Sequence, residues 1–73
     1  MQAIDIQKLI QVGLPDATVE VLGDDGQHFE ATVICSSFAG KSLLAQHKMV
    51  YTTLGDSFES ALHALSLKTS APR

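Results

Sequence analysis

The sequence predicts a small α/β domain whose elements follow the order αββααβ. Apolar residues recur at helical spacing near the start of the chain and again after its middle. Three other segments alternate apolar and polar residues, as half-buried strands do, and a Gly-Asp-Asp-Gly run separates the first two of them. Hydrophobic residues make up 45% of the 73-residue chain, which suits one core, so we expect a single domain over residues 1–73.

The first helix is expected over about residues 4–13. Asp5 can cap its start, and Gly13 followed by Pro15 ends it. The apolar residues that recur at helical spacing are Ile6, Leu9, Ile10 and Leu14. Between them lie polar residues, so one face of this helix should be buried.

Two strands joined by a tight turn follow the first helix. In the first, residues 18–22, Val19 and Val21 share a face. The Asp25-Gly26 pair tolerates the positive φ angles that a hairpin turn needs. The second strand is expected over about residues 27–35. Its inward face carries Phe29, Ala31, Val33 and Cys35, and its other face carries His28, Glu30 and Thr32.

The second half of the chain predicts a loop at residues 36–42, two helices and a third strand. The apolar stripe of the longer helix comprises Leu43, Leu44, His47, Val50, Tyr51 and Leu54. After Gly55, a short helix capped by Asp56 or Ser57 would turn Phe58, Ala61 and Leu62 inward. Residues 63–69 alternate as the third strand.

Composition favours a cytoplasmic protein with no membrane association. The start of the chain has no basic segment followed by an apolar one, as a secretory signal would have. No apolar run approaches the roughly 20 residues that a membrane span needs. Cys35 is the single cysteine, which excludes an internal disulfide and a CxxC motif, and its place on the inward face of a strand favours packing.

An enzyme is the weakest interpretation, because so short a chain cannot enclose a deep substrate cavity. Ser36, Ser37 and Ser42 lack a nucleophile-elbow motif around them. Asp24 and Asp25 lie in a turn, where solvation is their ordinary role. We therefore expect no catalysis.

Two motifs in the second half of the chain resemble the BolA family. The segment FAGKSLLAQHKMVYTTLGDSF is followed by HALSLKT, and the family pattern has the same order and separation. The matching positions are Phe38, Gly40, Leu44, His47, Val50 and Tyr51, then residues 63–69. Upstream, GDDGQHF is similar to the family's entry into the second strand, with His28 and Phe29 at the matching positions.

The resemblance implies a type II KH-like topology, with a three-stranded mixed sheet and helices packed on one face. It also implies a monothiol glutaredoxin as partner, with which BolA proteins share a [2Fe–2S] cluster that glutathione helps to hold. No cofactor is then expected in the isolated protein. Family members act in iron homeostasis and cluster trafficking and, in bacteria, in transcriptional regulation.

The same resemblance makes His63 a candidate cluster ligand, since a neutral imidazole can bind iron. The structural alternative is a strand-end histidine bonded to a backbone carbonyl. His28 is the second candidate ligand. The family usually draws that ligand from a longer loop between the first two strands, where this chain has only GDDGQ, so Asp25, water or an exogenous thiol are substitutes.

His47 and the helix around it raise two further questions. On the apolar stripe, His47 is expected to be a hydrogen-bonded structural residue rather than a ligand. RNA binding of the KH kind is not expected, because residues 40–43 hold one glycine where a GxxG loop has two. The alternative function is sequence-specific DNA binding. The competing interpretation is that the same residues form an ordinary solvated helix surface. The candidate DNA contacts are Lys41, Gln46, Lys48 and Thr52.

Overall fold

The computed structural model describes residues 2–23, 28–55 and 65–73. Its elements are helix α1 (Ala3–Gly13), strands β1 (Thr18–Leu22) and β2 (Phe29–Ile34), a 3₁₀ turn (Ser36–Phe38), helix α2 (Leu43–Leu54) and strand β3 (Leu65–Ser70). The α/β class and the order of these elements are as the sequence predicts. The predicted hairpin turn and the predicted short helix after Gly55 lie outside the described residues.

The three strands form one mixed sheet in the order β1-β2-β3. β1 runs antiparallel to β2, with Val19 opposite Val33. β3 runs parallel to β2, with Phe29 opposite Leu65. A parallel neighbour requires a crossover connection, and α2 lies within that connection. The mixed sheet implied by the family resemblance is therefore confirmed.

One face of the sheet is covered by the two helices and the other is open. On β2, Phe29, Ala31 and Val33 are buried while Glu30 and Thr32 are exposed, so the predicted faces are confirmed. The buried core is completed by Ile6, Ile10, Ala17, Val19, Cys35, Phe38, Val50, Leu54 and Leu65. The open face carries mainly polar side chains, as expected of a sheet with one solvated side.

The two helices meet closely where α1 ends. A β-carbon added to Gly13 would collide with the side chain of Thr53 on α2, so only glycine allows this approach. At the other end of α1, the Asp5 carboxylate accepts a hydrogen bond of 2.8 Å from the backbone N–H of Gln2. Asp5 therefore caps from inside the first turn, and Gln2 is the N-cap residue.

The predicted apolar stripe of α2 is wrong at its start. Leu43 and Leu44 are 63% and 66% exposed, whereas the buried residues of α2 are Gln46, Val50 and Leu54. Residues four apart share a helix face, and Val50 with Leu54 sets that face toward the core. The first turn of α2 therefore leaves Leu43 and Leu44 exposed. Ser42 caps this turn by accepting a hydrogen bond of 3.2 Å from the Ala45 backbone N–H.

Candidate functional site

His28 lies directly before β2 and its side chain is exposed. The next residue, Phe29, is buried in the core and anchors the start of the strand. His28 is thus held at one end of the sheet by the packing of its neighbour. His63 and Asp25, the other two candidate ligands, lie outside the described residues.

The strand register relates the two candidate histidines along the chain. Phe29 pairs with Leu65 on the parallel strand β3. His28 precedes Phe29 by one position, and His63 precedes Leu65 by two. In the sequence, both histidines therefore come just before one of two strands that pair in parallel.

His28 is the exposed imidazole that the described part of this end of the sheet offers to a metal group. Within residues 2–23, 28–55 and 65–73, no three His, Cys, Asp or Glu side chains come together as a metal site. An exposed imidazole beside a paired strand can contribute one bond to a cluster whose other ligands come from elsewhere. The donor set on the described residues fits that role.

Cys35 and His47 take structural positions. Cys35 is 1% exposed and belongs to the core, which confirms its predicted packing role. His47 is half-buried on α2. Its side chain makes no hydrogen bond within the described part of the chain, so the predicted hydrogen bond is not found there. The half-buried position does agree with partial packing against the core.

The predicted DNA-contacting face is only partly exposed. Lys41, Lys48 and Thr52 are exposed, but Gln46 is 8% exposed, so its placement on an outer face is wrong. Gln46 donates to the backbone carbonyl oxygens of Lys41 at 2.9 Å and Phe38 at 3.4 Å, and its Oε1 accepts from the Thr69 hydroxyl at 2.7 Å. Because its amide is satisfied at both ends, it can be buried.

The spacing of Gln46 in the sequence is compatible with this burial but does not require it. Gln46 stands four residues before Val50 and eight before Leu54, which is helical spacing. A polar residue in such a series is easily assigned to the solvent side. Only the positions of its partners, in the loop before α2 and on β3, show that it belongs inside.

The surface around α2 differs in charge from the rest of the protein. The net charge is −3, yet residues 31–55 contain no aspartate or glutamate. Lys41 and Lys48 lie in this segment and are exposed. The segment therefore presents positive charge locally, which the balance over the whole chain conceals.

A shallow depression of about 170 Å³ lies on the open face of the sheet. Its lining includes Glu30, Thr32, Ser66 and Lys68. Small-molecule sites in proteins are commonly about 300–1,000 Å³. This depression is too small to enclose an organic substrate. None of the described helices has the length and apolar character needed to cross a membrane.

The fold and this surface define a small α/β domain with two helices on one face of a mixed three-stranded sheet. The chain belongs to the BolA-like protein family, whose sequence model matches residues 13–73. A bolA protein homologue from Coxiella burnetii has a similar structure, with a TM-score of 0.84 and 44% identity, over 99% of this chain and 92% of that one.

Two curated relatives share part of their length with this chain. SufE-like protein 1, chloroplastic/mitochondrial, from Arabidopsis thaliana is 43% identical over 51 residues, which are 68% of this chain and 14% of that protein. The DNA-binding transcriptional regulator BolA of Escherichia coli (strain K12) is 36% identical over 42 residues, 58% of this chain and 40% of that protein. The chain thus spans less than half of either relative.

Proposed function

We propose that this protein binds a monothiol glutaredoxin and shares a [2Fe–2S] cluster with it, in cluster trafficking or iron regulation in the cytoplasm. In this proposal, His63 supplies an imidazole ligand, and His28 is the candidate for a second. The glutaredoxin and glutathione supply thiolates. The chain itself performs no catalysis; it offers a ligand and a docking surface.

The observation that carries this proposal is the parallel register of β2 and β3. Phe29 pairs with Leu65, and in the sequence His28 comes one residue before β2 and His63 two residues before β3. In this proposal, both imidazoles face the same partner. Membership in the BolA-like family supports the same interpretation.

Imidazole ligation has a chemical consequence that suits a regulatory or transfer role. Replacing a thiolate by a histidine raises the reduction potential of an iron–sulfur centre. The imidazole must be neutral to bind, so protonation competes with the metal. A cluster held in part by histidine is therefore easier to reduce and to release than one held by cysteines alone.

We expect the wild-type protein to change the visible absorption and circular dichroism of a cluster-loaded monothiol glutaredoxin. His63→Ala should abolish that change, because the cluster loses its ligand from this chain. His28→Ala should weaken it if His28 is the second ligand. His47→Ala serves as the matched control, since it removes an imidazole from α2 and should leave the spectrum of the mixture unchanged.

Far-UV circular dichroism of each variant establishes that it is folded before mixing. A calorimetric titration of this protein into the glutaredoxin without its cluster measures docking alone. Comparison with the cluster-loaded glutaredoxin then separates docking from ligation of the cluster. A wild-type protein that leaves the spectrum of the loaded glutaredoxin unaltered would disprove the proposal. So would a His63→Ala variant that behaves as the wild type does.

A second candidate function is DNA binding through α2. The acid-free segment with exposed Lys41 and Lys48 favours it, as does the similarity to a bacterial protein described as a DNA-binding transcriptional regulator. If both lysines contact phosphates, replacing them by glutamine should reduce the slope of log affinity against log salt by about 1.8. Lys8→Gln on α1 is the control. No affinity for duplex DNA at low salt would exclude this function.

A further inference from the structure

The two edges of the sheet differ in how many of their backbone groups are hydrogen-bonded by side chains. At the β1 edge, side chains from α1 take up backbone acceptors. Gln7 Nε2 donates to the carbonyl oxygen of Val19 at 3.3 Å, and Gln11 Nε2 donates to that of Ala17 at 2.7 Å. A further strand at this edge would have to compete with the two glutamines.

Within the described part of the chain, no side chain takes up backbone groups at the β3 edge in this way. The Cys35 N–H donates to the Ser70 carbonyl oxygen at 3.0 Å, and Ser70 stands opposite Ile34 in the parallel register. In parallel sheets, both backbone groups of alternate residues point to the same neighbour. Lys68 and Ser70 therefore bond toward β2, and Leu67 and Thr69 turn their N–H and C=O groups outward. No partner for these outward groups lies within residues 2–23, 28–55 and 65–73.

We propose that the β3 edge binds an extended segment of another protein by strand addition, and that the segment alternates acidic and apolar side chains. Strand addition supplies main-chain hydrogen bonds from the unpaired groups of an edge, and alternate side chains set the specificity. The chemistry of the two faces beside β3 identifies the segment.

On the open face, the charge next to the incoming strand is positive. Lys68 is exposed there between Ser66 and Ser70. Glu30 lies on β2 opposite Ser66, yet no ion pair joins it to Lys68 in the described structure. A side chain on an added strand lies about 4.5–5.5 Å from its cross-strand neighbour, and opposite charges stabilise such a pair. Acidic residues are therefore favoured on this side.

On the helix face, the incoming strand meets apolar groups. Leu67 is half-buried. The hydrogen bond of 2.7 Å between Thr69 and Gln46 places α2 beside β3, and Leu43 precedes Gln46 by three residues on the same side of the helix. Leu43 is 63% exposed. Apolar side chains on the added strand would cover both leucines. This face therefore favours apolar residues at every second position of the added strand.

A second copy of this chain is a poorer occupant of the same edge. Antiparallel pairing of two β3 strands with Leu67 opposite Thr69 would set one Lys68 directly against the other. Like charges in that position are destabilising. Lysine on an edge strand is a common means of preventing self-association. Lys68 does not oppose pairing of the edge with an acidic segment.

Amide hydrogen exchange measured by NMR tests the proposal residue by residue. The probe is a capped nine-residue peptide in which glutamate and valine alternate. Without it, the outward amides of Leu67 and Thr69 should exchange rapidly, whereas those of Lys68 and Ser70 are protected. At saturating peptide the outward amides should slow by at least about tenfold, because they become hydrogen-bonded.

Charge reversal tests the acidic part of the proposal. Lys68→Glu should weaken peptide binding by about tenfold or more, because an attraction becomes a repulsion. Lys8→Glu makes the same change on the exposed surface of α1 and should leave affinity unchanged.

Unaltered exchange at Leu67 and Thr69 with saturating peptide would overturn the proposal. Equal binding of a lysine–valine peptide would overturn its acidic part. Protection that grows with protein concentration alone would assign the edge to a second copy instead.

Discussion

Phe38→Ala is expected to abolish the cooperative unfolding transition of this protein. Phe38 is 1% exposed and is among the largest side chains fully buried in the core. Removing a buried phenylalanine typically costs about 3–5 kcal/mol. A core of this size supplies a net stability of only about 3–5 kcal/mol. The variant should therefore be largely unfolded at 25 °C, as shown by urea titration followed by far-UV circular dichroism.

The backbone around Phe38 increases the cost of this change. Its N–H donates to the Cys35 carbonyl oxygen at 3.0 Å, and its own carbonyl accepts from the Lys41 N–H at 3.1 Å. The ring thus anchors the short turn that leads from β2 to α2. Without it, the turn loses its only large buried side chain.

Two control variants separate burial from helix position. Phe38→Leu keeps most of the apolar volume and should retain a cooperative transition at a lower urea midpoint. Leu44→Ala removes a leucine side chain that is 66% exposed and should change stability by no more than about 0.5 kcal/mol. A loss of several kcal/mol from Leu44→Ala would show that α2 is turned about its axis so that Leu44 faces the core. The buried stripe would then be the one that the sequence pattern predicts.

The sequence predicted the strands better than it predicted the longer helix. On β2 the alternation of Phe29, Ala31 and Val33 with polar residues leaves one choice of face. On α2, apolar residues occur on too many sides of a short helix for periodicity to define its phase. The structure buries Val50 and Leu54 and leaves Leu43 and Leu44 exposed.

The candidate site could be located from the sequence only through its motifs. No local sequence pattern distinguishes His28 from any other polar residue at the start of a strand. Its position at one end of the sheet follows from the pairing of Phe29 with Leu65, residues distant in the chain. The outward backbone groups of Leu67 and Thr69 depend on the same register. Such relations are set by long-range packing, which a pattern within one segment does not contain.

Gln46→Glu is expected to destabilise the protein by about 3 kcal/mol at pH 7. The wild-type amide donates to the carbonyl oxygens of Phe38 and Lys41 and accepts from the Thr69 hydroxyl. An ionised carboxylate keeps the acceptor but loses the donor, and it directs negative charge at two carbonyl oxygens. Thr52→Glu adds the same charge at an exposed position of α2 and should have a much smaller effect.

The effect of Gln46→Glu should depend on pH in a defined direction. Burial and the two carbonyl oxygens favour the neutral acid, so the pKa of the introduced carboxyl should be higher in the folded state than its usual value of about 4.3. The variant should approach wild-type stability below about pH 4 and lose stability as the pH rises through both pKa values. A stability difference that does not change between pH 4 and pH 7 would show that this side chain is in contact with solvent.

A double-mutant cycle identifies what the buried glutamine contributes. Thr69→Val alone should cost about 1 kcal/mol, because it removes the hydroxyl that donates to Gln46 and leaves the amide oxygen unpaired. In the Gln46→Leu background that hydroxyl has already lost its partner, so Thr69→Val should cost nothing or be slightly stabilising. The difference between the two measurements is the energy of the link between α2 and β3. Additive effects would mean that the link contributes no stability and that packing alone holds β3 against the helix.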